Sequence, residues 1–370
     1  MSPRFRRGSG ESGAGQGAGG TIPGRGVGAN PANRFESIVR IPEPPDDDRA
    51  ATDTNPPPRT EFLPDASRTV IARNASPDIG FDASINPYRG CEHGCAYCYA
   101  RPTHEYLGFS AGLDFETRIM VKHDAPDLLR RELSAQNWLP QRVAMSGVTD
   151  CYQPIERKLG LTRRCLEVLA EFRNPVTIIT KNHLVTRDID LLADLARYQA
   201  AAVAISLTTL DSELCGVLEP RTSRPERRLA AIERLAAAGI PVGVMIAPVI
   251  PVLTEPEIPA LLAAAAAAGA RYAGYGLLRL PHAVASLFSD WLQRHAPNQK
   301  DKVLARIRAL HGGELYAARF GARQRGEGPF AEQIEGLFRL GCRRAGLAAD
   351  WPVLSTAHFR RPGGQQLALL

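Results

Sequence analysis

The sequence contains no uninterrupted apolar run of the roughly 18 residues that a membrane-spanning helix needs, and its longest alanine run covers only 263–268. The N-terminal arginines precede a glycine-rich segment rather than an apolar stretch, so we expect no secretory signal. With 44% hydrophobic and 23% charged residues, the composition is typical of a soluble globular protein. We therefore expect a cytoplasmic protein that makes no contact with a membrane.

A disulfide framework is not expected either. The chain of 370 residues has seven cysteines, an odd number, and three of them fall within eight residues. Clustered cysteines in a large chain favour metal ligation over disulfide bonds. The sequence therefore predicts a metal centre in a reducing compartment.

The excess positive charge is concentrated towards the C-terminus. The formal net charge is +6, and residues 290–346 contain 11 Lys or Arg against 6 Asp or Glu. This segment is either a solvated helical face or a surface that contacts nucleic acid or another polyanion. Both interpretations remain open at this point.

Composition divides the chain into three parts. Residues 1–35 hold ten of the 33 glycines, and residues 36–65 add seven prolines. Because such segments bury too little apolar surface to offset the entropy of ordering, we expect 1–65 to be a disordered extension. Residues 82–283 alternate short β-prone runs with longer amphipathic ones, and helical patterns dominate in 284–370.

The alternating part predicts a parallel sheet covered by helices. The predicted strands occupy 83–86, 142–146, 176–180, 201–207, 241–247 and 271–277, and the predicted helices occupy 126–135, 161–172, 187–198, 225–238 and 256–268. Six strands of this kind indicate an α/β fold, a partial (β/α)6 barrel of the TIM type. Further helices at 284–295, 302–310 and 330–345 form a helical C-terminal appendage.

The strongest motif directly follows the first predicted strand. Cys91, Cys95 and Cys98 have CxxxCxxC spacing in a short loop. Thiolates are the usual ligands of iron–sulfur clusters, and three of them leave one iron of a [4Fe–4S] cluster open to a small molecule. Structural zinc, with His93 or a distant cysteine as fourth ligand, is the alternative. A cluster with four protein ligands that only transfers electrons is a third interpretation.

This loop is the signature of the radical S-adenosylmethionine superfamily, which the chain resembles over residues 82–280. Tyr97 suits the superfamily's habit of placing an aromatic residue just before the last cysteine, and Tyr99 directly follows that cysteine. The stretches 219–223, 228, 238–243 and 247–248 resemble the bacterial spore photoproduct lyase-like branch. The resemblance implies a [4Fe–4S] cluster and S-adenosylmethionine as cofactors, and an external flavodoxin- or ferredoxin-like one-electron donor.

The resemblance also implies an activity. Reductive cleavage of S-adenosylmethionine gives a 5′-deoxyadenosyl radical, which abstracts a hydrogen atom from a substrate. Lyase chemistry and nucleic-acid modification or repair share this step, and the basic C-terminal region favours a nucleic-acid substrate. The alternative from another class is a noncatalytic, zinc-stabilised module that binds nucleic acid.

Residues at the strand ends are the expected cofactor contacts, because a barrel presents its chemistry there. The candidates are Tyr97, Ser146, Gly147, Lys181, Ser206, Glu219, Arg228 and Pro248. The resemblance places Ser146 near the cofactor amine and Lys181 near its carboxylate. Arg228 either binds that carboxylate or pairs with Glu219, and the sequence leaves both open.

The catalytic candidates are Asp150, Cys151, Tyr97 and Tyr99. In spore photoproduct lyases a cysteine lies just before the Thr-Ser-Asp segment after the second strand, but Gly147 occupies that position here. Cys151, four residues further on, is therefore the candidate hydrogen-atom donor. The departure argues against a DNA photoproduct as the substrate. The remaining thiols, at Cys165, Cys215 and Cys342, are expected to be inert.

Overall fold

The computed structural model describes residues 20–36 and 58–362. Its strands are β1 (Glu61–Pro64), β2 (Ile71–Arg73), β3 (Ala83–Ile85), β4 (Tyr88–Arg89), β5 (Arg118–Val121), β6 (Val143–Met145), β7 (Val176–Thr180), β8 (Ala201–Ser206), β9 (Val242–Val249) and β10 (Tyr272–Leu277). Two sheets result. One has seven strands in the order β10-β9-β8-β7-β6-β3-β2, and the other has three in the order β1-β5-β4.

The seven-stranded sheet is the partial barrel that the sequence predicts. All neighbours from β3 to β10 pair in parallel, and only β2 joins antiparallel, along the outer edge of β3. Within the described residues β2 and β10 are the two edges and do not pair with each other, so the barrel is open. Parallel strands in one sheet align their carboxyl ends, which brings the loops after all six predicted strands to one side.

Helices cover the outer face of this sheet. Their bounds are α1 (Leu113–Thr117), α2 (Ala125–Ser134), α3 (Glu156–Leu159), α4 (Leu161–Phe172), α5 (Ile189–Arg197), α6 (Ser212–Leu218), α7 (Pro225–Ala237), α8 (Ile258–Ala267), α9 (Ala283–His295), α10 (Lys300–Leu310), α11 (Ala322–Arg325) and α12 (Pro329–Ala345). Short 3-10 helices occupy Arg101–Leu107, His183–Asp188, Glu255–Glu257 and Pro297–Gln299. Within the described part of the chain, no helix combines the length and apolarity needed to cross a bilayer.

The core explains why these segments form these elements. All six residues of β8 are buried, as expected for a strand covered on both faces. Most of the covering helices are amphipathic and turn an apolar stripe inwards, as α4 does with Leu166 and Leu169, whereas the alanine-rich α8 is apolar nearly all round. The apolar faces of the helices and the apolar strands therefore pack against each other and form one hydrophobic core.

The sequence predicts neither the three-stranded sheet nor an ordered conformation for part of the N-terminal extension. β1 pairs in parallel with β5, and β4 pairs antiparallel with β5. Residues 20–36 and 58–64 have defined conformations, so the expectation of disorder does not hold for them. The reason is a set of specific polar contacts with the core, such as the Arg25 guanidinium on the Glu116 carbonyl at 3.0 Å. Asp65 is also described, whereas residues 1–19 and 37–57 lie outside the described residues.

The C-terminal helices also contact the open edge of the barrel. Gly321 donates its backbone N–H to the Asp78 carboxylate at 2.7 Å, and Arg323 forms an ion pair with the same carboxylate. Asp78 precedes β3, and Arg323 follows β10 in the chain. The gap between the two ends of the partial barrel is thus bridged by side-chain contacts instead of by strand pairing.

Candidate active site

A cavity of about 530 Å³ opens at the carboxyl ends of the parallel strands and extends into the barrel. Most of the residues singled out by sequence reasoning line it. They are Cys91, Cys95, Cys98, Tyr97, Tyr99, Ser146, Gly147, Asp150, Lys181, Ser206 and Pro248. The fold therefore brings together side chains that are up to 157 residues apart in the sequence, from Cys91 to Pro248.

The three cysteines of the loop after β3 are largely shielded from solvent. Burial raises the pKa of the Cys95 and Cys98 thiols, and also that of Cys91, where backbone hydrogen bonds from His93 and Asp150 act in the opposite direction. Metal coordination removes the thiol proton regardless of such a shift. In the described residues no three His, Cys, Asp or Glu side chains converge on a single-ion site. A cluster binds each thiolate through a different iron, so the cysteines fit it without such convergence.

Arg101 fixes the far side of the cluster loop. Its guanidinium is fully buried and donates twice to the Cys95 carbonyl, at 3.1 and 2.8 Å, and once to the Gly112 carbonyl at 2.9 Å. The same group forms an ion pair with the buried Glu116 carboxylate at 2.5 Å. One planar donor set therefore holds the loop in the conformation that aims its thiols at the cavity.

The N-terminal segment packs directly on this loop. Gly26 donates its backbone N–H to Glu116 Oε2 at 3.1 Å, and a Cβ atom on Gly26 would lie 1.7 Å from the Gly94 carbonyl oxygen. Gly94 itself has a φ of +65°, a region that glycine adopts without strain. The two glycines are required because one backbone crosses the other at van der Waals contact.

A buried histidine next to the loop makes the fold sensitive to mild acid. His104 donates from Nε2 to the Arg118 carbonyl at 2.9 Å, while its buried Nδ1 has no partner among the described residues. Burial lowers the pKa of His104 to about 4, below the ordinary value of 6.5. The folded protein therefore binds this proton less readily than the unfolded chain, and stability is lost as pH falls from about 6.5 towards 4.

We expect the free energy of unfolding to fall by about 2 kcal/mol between pH 6.5 and pH 5 because of His104 alone. Urea unfolding followed by circular dichroism at both pH values measures this fall. In His104→Gln, which retains a donor near the Nε2 position, the fall should be smaller than in the wild type by this amount. His295, whose pKa burial also lowers to about 4, contributes a further part of the fall that this variant leaves unchanged. An equal pH dependence in wild type and His104→Gln would contradict the assignment to His104.

Asp150 joins the loop after β6 to the end of β7. Its carboxylate accepts hydrogen bonds from Thr180 Oγ1 at 2.8 Å and the Lys181 backbone N–H at 2.8 Å, and it lies 3.3 Å from His93 Nδ1. Burial raises the pKa of Asp150, but the charge and hydrogen bond of His93 and the backbone donors outweigh it and leave the pKa below its usual range. The ionised carboxylate is engaged by protein donors, so it positions its neighbours around the cavity.

A second buried carboxylate organises the opposite wall. Glu219 accepts hydrogen bonds from Tyr97 Oη and Arg228, and from Thr208 Oγ1 at 2.8 Å. Burial raises its pKa, but the charges of Arg228 and Lys181 outweigh this and set the pKa at about 2. Of the two partners left open for Arg228, the structure shows Glu219. Glu219 and Arg228 lie behind the cavity wall and are not among the residues that line it.

Lys181 extends from this network to the cavity. Its Nζ donates to the Ala247 carbonyl at 3.1 Å and lies 3.6 Å from Glu219 Oε1. Arg228 donates to the Ser206 carbonyl at 3.0 Å, which fixes the end of β8. Two cations therefore face the Glu219 carboxylate, and Lys181 is the one of the two that lines the cavity.

The remaining wall residues are held by local backbone geometry. Ser146 has a φ of +75°, an uncommon value for a residue with a Cβ atom, and its Oγ accepts the Cys151 backbone N–H at 2.8 Å. Tyr99 donates from its hydroxyl to the Gly147 carbonyl at 3.3 Å and stacks its ring under the Arg279 guanidinium at 4.3 Å. Pro248 lies near the end of β9 and lines the cavity, one residue after Ala247, whose carbonyl accepts the hydrogen bond from Lys181.

Cys151 is the one catalytic candidate that the structure does not bring to the cavity. Its side chain is fully buried in the core on the other side of the loop, and burial raises the pKa of its thiol. The chain reverses at Ser146, which turns residues 147–150 towards the cavity and Cys151 away from it. Cys165, Cys215 and Cys342 are also buried and do not line the cavity.

Comparison with known proteins defines the class. The family model of the Radical SAM superfamily matches residues 85–265. This range contains the cysteine loop and strands β6 to β9. The chain belongs to this superfamily, whose members use a [4Fe–4S] cluster and S-adenosylmethionine and carry out radical chemistry that depends on that cofactor.

Individual relatives and neighbours are similar in sequence or in fold. An uncharacterized protein of Mycobacterium tuberculosis is 40% identical over 235 residues, which are 63% of this chain and 68% of the relative. An uncharacterized protein of Methanocaldococcus jannaschii is 31% identical over 173 residues, 47% of this chain and 62% of the relative. A spore photoproduct lyase variant with bound AdoMet and dinucleoside spore photoproduct has a TM-score of 0.55 at 16% identity, covering 79% of this chain and 82% of that chain. The last likeness concerns the fold.

Proposed function

We propose that Cys91, Cys95 and Cys98 bind a [4Fe–4S] cluster and that the chain cleaves S-adenosylmethionine reductively to start a hydrogen abstraction. The observation that carries this proposal is that all three thiols of the CxxxCxxC loop line the cavity at the strand ends. When bound, the cluster supplies the electron that breaks the sulfonium–C5′ bond of the cofactor. An external one-electron donor of the flavodoxin or ferredoxin type would reduce it.

The walls of the cavity suit S-adenosylmethionine. The Lys181 ammonium lines the cavity and offers a partner for the cofactor carboxylate, because it has further N–H donors besides the one that Ala247 accepts. Ser146 and Gly147 also line the cavity, and the Ser146 hydroxyl, which accepts the Cys151 backbone N–H, still has its own hydrogen to donate. Pro248 and Gly276 line the cavity as well, and their small size leaves room for a planar adenine.

The substrate that we propose contains a nucleobase. Near the cysteine loop the cavity is lined by the Tyr99 ring, by Arg279, whose guanidinium lies 4.3 Å from that ring, and by Phe81, which lies close to Gly147. Aromatic rings that stack on bases and arginines that attract phosphates are the usual means of binding exposed nucleotides. A spore photoproduct lyase of similar fold is known in complex with dinucleoside spore photoproduct, which supports a substrate that contains nucleobases.

The basic C-terminal region contributes less to this proposal than its composition suggests. Several of its arginines are neutralised within the protein, since Arg319 pairs with Glu327, Arg323 with Asp78 and Arg339 with Glu335. Other arginines of the region remain exposed on helical faces. We therefore place the main recognition of the substrate in the cavity.

The response of the reduced protein to S-adenosylmethionine tests the proposed site. We expect the electron paramagnetic resonance spectrum of the dithionite-reduced protein to change on addition of S-adenosylmethionine, because the cofactor binds the open iron. Lys181→Met should retain the cluster but require about tenfold or more cofactor for the same change, because one hydrogen bond to a charged group is lost.

The matched control is Lys158→Met, an exposed lysine of α3 that does not line the cavity. It should respond like the wild type. A loaded cluster whose spectrum ignores S-adenosylmethionine would indicate electron transfer instead, and zinc in place of iron would favour the noncatalytic nucleic-acid-binding module.

A further inference from the structure

A second cavity, of about 250 Å³, lies outside the barrel at the ends of three neighbouring strands. Five basic side chains line it, and none of the described residues in its wall is acidic. Arg157 comes from α3 after β6, His183 and Arg187 from the 3-10 helix after β7, and Arg227 and Arg234 from α7 after β8. We call this cavity, with these five residues, the basic pocket.

Most of the positive charge in the basic pocket has no internal counterion. Arg187 pairs with Glu156 and Asp188, at 2.7 Å in each case. Across the described residues, Arg157, Arg227 and Arg234 have no carboxylate within 4.0 Å. Like charges held together raise the free energy of the site, so an anion in the pocket would stabilise it.

Uncharged side chains hold Arg227 and Arg234 in position at the pocket. Arg234 donates from Nη1 to Thr186 Oγ1 at 3.0 Å, and Arg227 Nη2 lies 3.5 Å from His183 Nδ1. His183 is itself fixed by its backbone N–H, which donates to Ser223 Oγ at 2.8 Å. Burial, followed by the charges of Arg227 and Arg234, lowers the pKa of His183, and a bound anion would offset both charges.

The size and polarity of the basic pocket select a small anion. Its volume equals that of about eight water molecules in the liquid, which is below the range of ordinary drug-sized sites. Guanidinium groups bind the oxygen atoms of phosphate in pairs, with better geometry than a lysine provides. A phosphate group with little attached to it matches both properties.

We propose that the basic pocket binds a phosphate group. The pocket adjoins the cluster loop, because Asn182 in its wall lies 3.1 Å from Nε2 of His93. His93 is a residue of that loop, between Cys91 and Cys95. Two sources supply such a group, the backbone of a nucleic acid and a free phosphate or small phosphorylated molecule. Contacts to backbone phosphates position a nucleic acid without reading its sequence, which would suit a bound strand near the cavity.

The experiment measures two kinds of binding to the full-length, cluster-loaded protein. Isothermal titration calorimetry follows inorganic phosphate, and fluorescence anisotropy follows a labelled single-stranded oligonucleotide over a range of NaCl concentrations. The variants are Arg227→Ala/Arg234→Ala and its charge-retaining counterpart Arg227→Lys/Arg234→Lys. Arg197→Ala is the control, because Arg197 is an exposed arginine of α5 outside the pocket.

We expect wild type and Arg197→Ala to bind inorganic phosphate equally, and the double alanine variant to bind it about a hundredfold more weakly. The double lysine variant should bind with intermediate strength, which also shows that the fold survives substitution. If a nucleic acid is the source, the slope of log K against log salt for the oligonucleotide falls by about 0.7 in the double alanine variant, the contribution of one phosphate. If that slope is unchanged while phosphate binding is lost, a small phosphorylated molecule is the source.

Two outcomes would overturn the proposal. One is the absence of saturable phosphate binding to the wild type. The other is a double alanine variant that binds phosphate as tightly as the wild type, which would show that Arg227 and Arg234 do not form the binding site. Neither assay requires cleavage of S-adenosylmethionine, so failure here and failure of the proposed radical chemistry can be told apart.

Discussion

Arg101→Ala is expected to lower the free energy of unfolding by about 3–5 kcal/mol and to reduce the iron content of the protein after reconstitution. Arg101 is fully buried and forms an ion pair with the equally buried Glu116. Removal of Arg101 leaves a buried carboxylate without its counterion, and the Gly26 backbone N–H remains as its hydrogen-bond donor. Burial already raises the pKa of Glu116, so this group takes up a proton in the variant and part of the cost is relieved.

The second consequence of Arg101→Ala concerns the cluster loop itself. The variant loses both hydrogen bonds to the Cys95 carbonyl and the one to the Gly112 carbonyl, so the loop can adopt conformations in which its thiols point away from the cavity. Chemical denaturation and iron analysis of the reconstituted protein measure the two effects. Arg101→Lys should fall in between, because it keeps the charge but loses the planar donor set.

Arg130→Ala is the matched control for this prediction. Arg130 also pairs with a glutamate, Glu171, at 2.5 Å, but both side chains are exposed. An exposed pair contributes at most about 1 kcal/mol, and Arg130 lies far from the cysteines in sequence and on the surface of α2. If Arg101→Ala were no more harmful than Arg130→Ala, the buried pair would not hold the loop as described.

The barrel could be predicted because its signals are local and repeated. β7 and α4 begin and end at the residues that the apolar patterns indicate, Val176–Thr180 and Leu161–Phe172. Each βα unit carries its own strand-length apolar run and its own helical stripe, and the parallel order follows from their alternation. The loop cysteines were found for the same reason, since their spacing is contained in eight residues.

The small sheet could not be predicted, because its partners are short and distant. β1 has four residues, of which three are exposed, and it pairs with a strand more than 50 residues later in the sequence. The disorder predicted for residues 20–36 fails for a related reason. A glycine-rich composition indicates a flexible chain. Gly26, however, is needed because its backbone lies in close contact with Gly94, and the sequence does not show that these two residues meet.

Side-chain partners were the least predictable part of the site. Sequence reasoning left Arg228 with two partners, and only the fold shows that Glu219 accepts its hydrogen bond. It missed Arg101, whose role depends on a glutamate 15 residues later. It proposed Cys151 as the hydrogen-atom donor because this residue lies four positions after Gly147, whereas the structure buries its thiol in the core, outside the cavity lining.

The largest effect of all is expected for Cys95→Ala. A cluster that loses one of three thiolate ligands has no nearby replacement, because the other described cysteines lie in the core away from the cavity. Reductive cleavage of S-adenosylmethionine should therefore stop completely. Cys342→Ala, which removes a buried thiol from α12, should retain the activity apart from a small loss of stability.

The most direct test of the central claim is chromatographic assay of 5′-deoxyadenosine. Wild type, Cys95→Ala and Cys342→Ala are reconstituted without oxygen, reduced with dithionite and incubated with S-adenosylmethionine. The account predicts 5′-deoxyadenosine from wild type and from Cys342→Ala, and none from Cys95→Ala. A wild-type protein that carries a reducible [4Fe–4S] cluster but forms no 5′-deoxyadenosine, even with nucleic-acid substrates present, would contradict it.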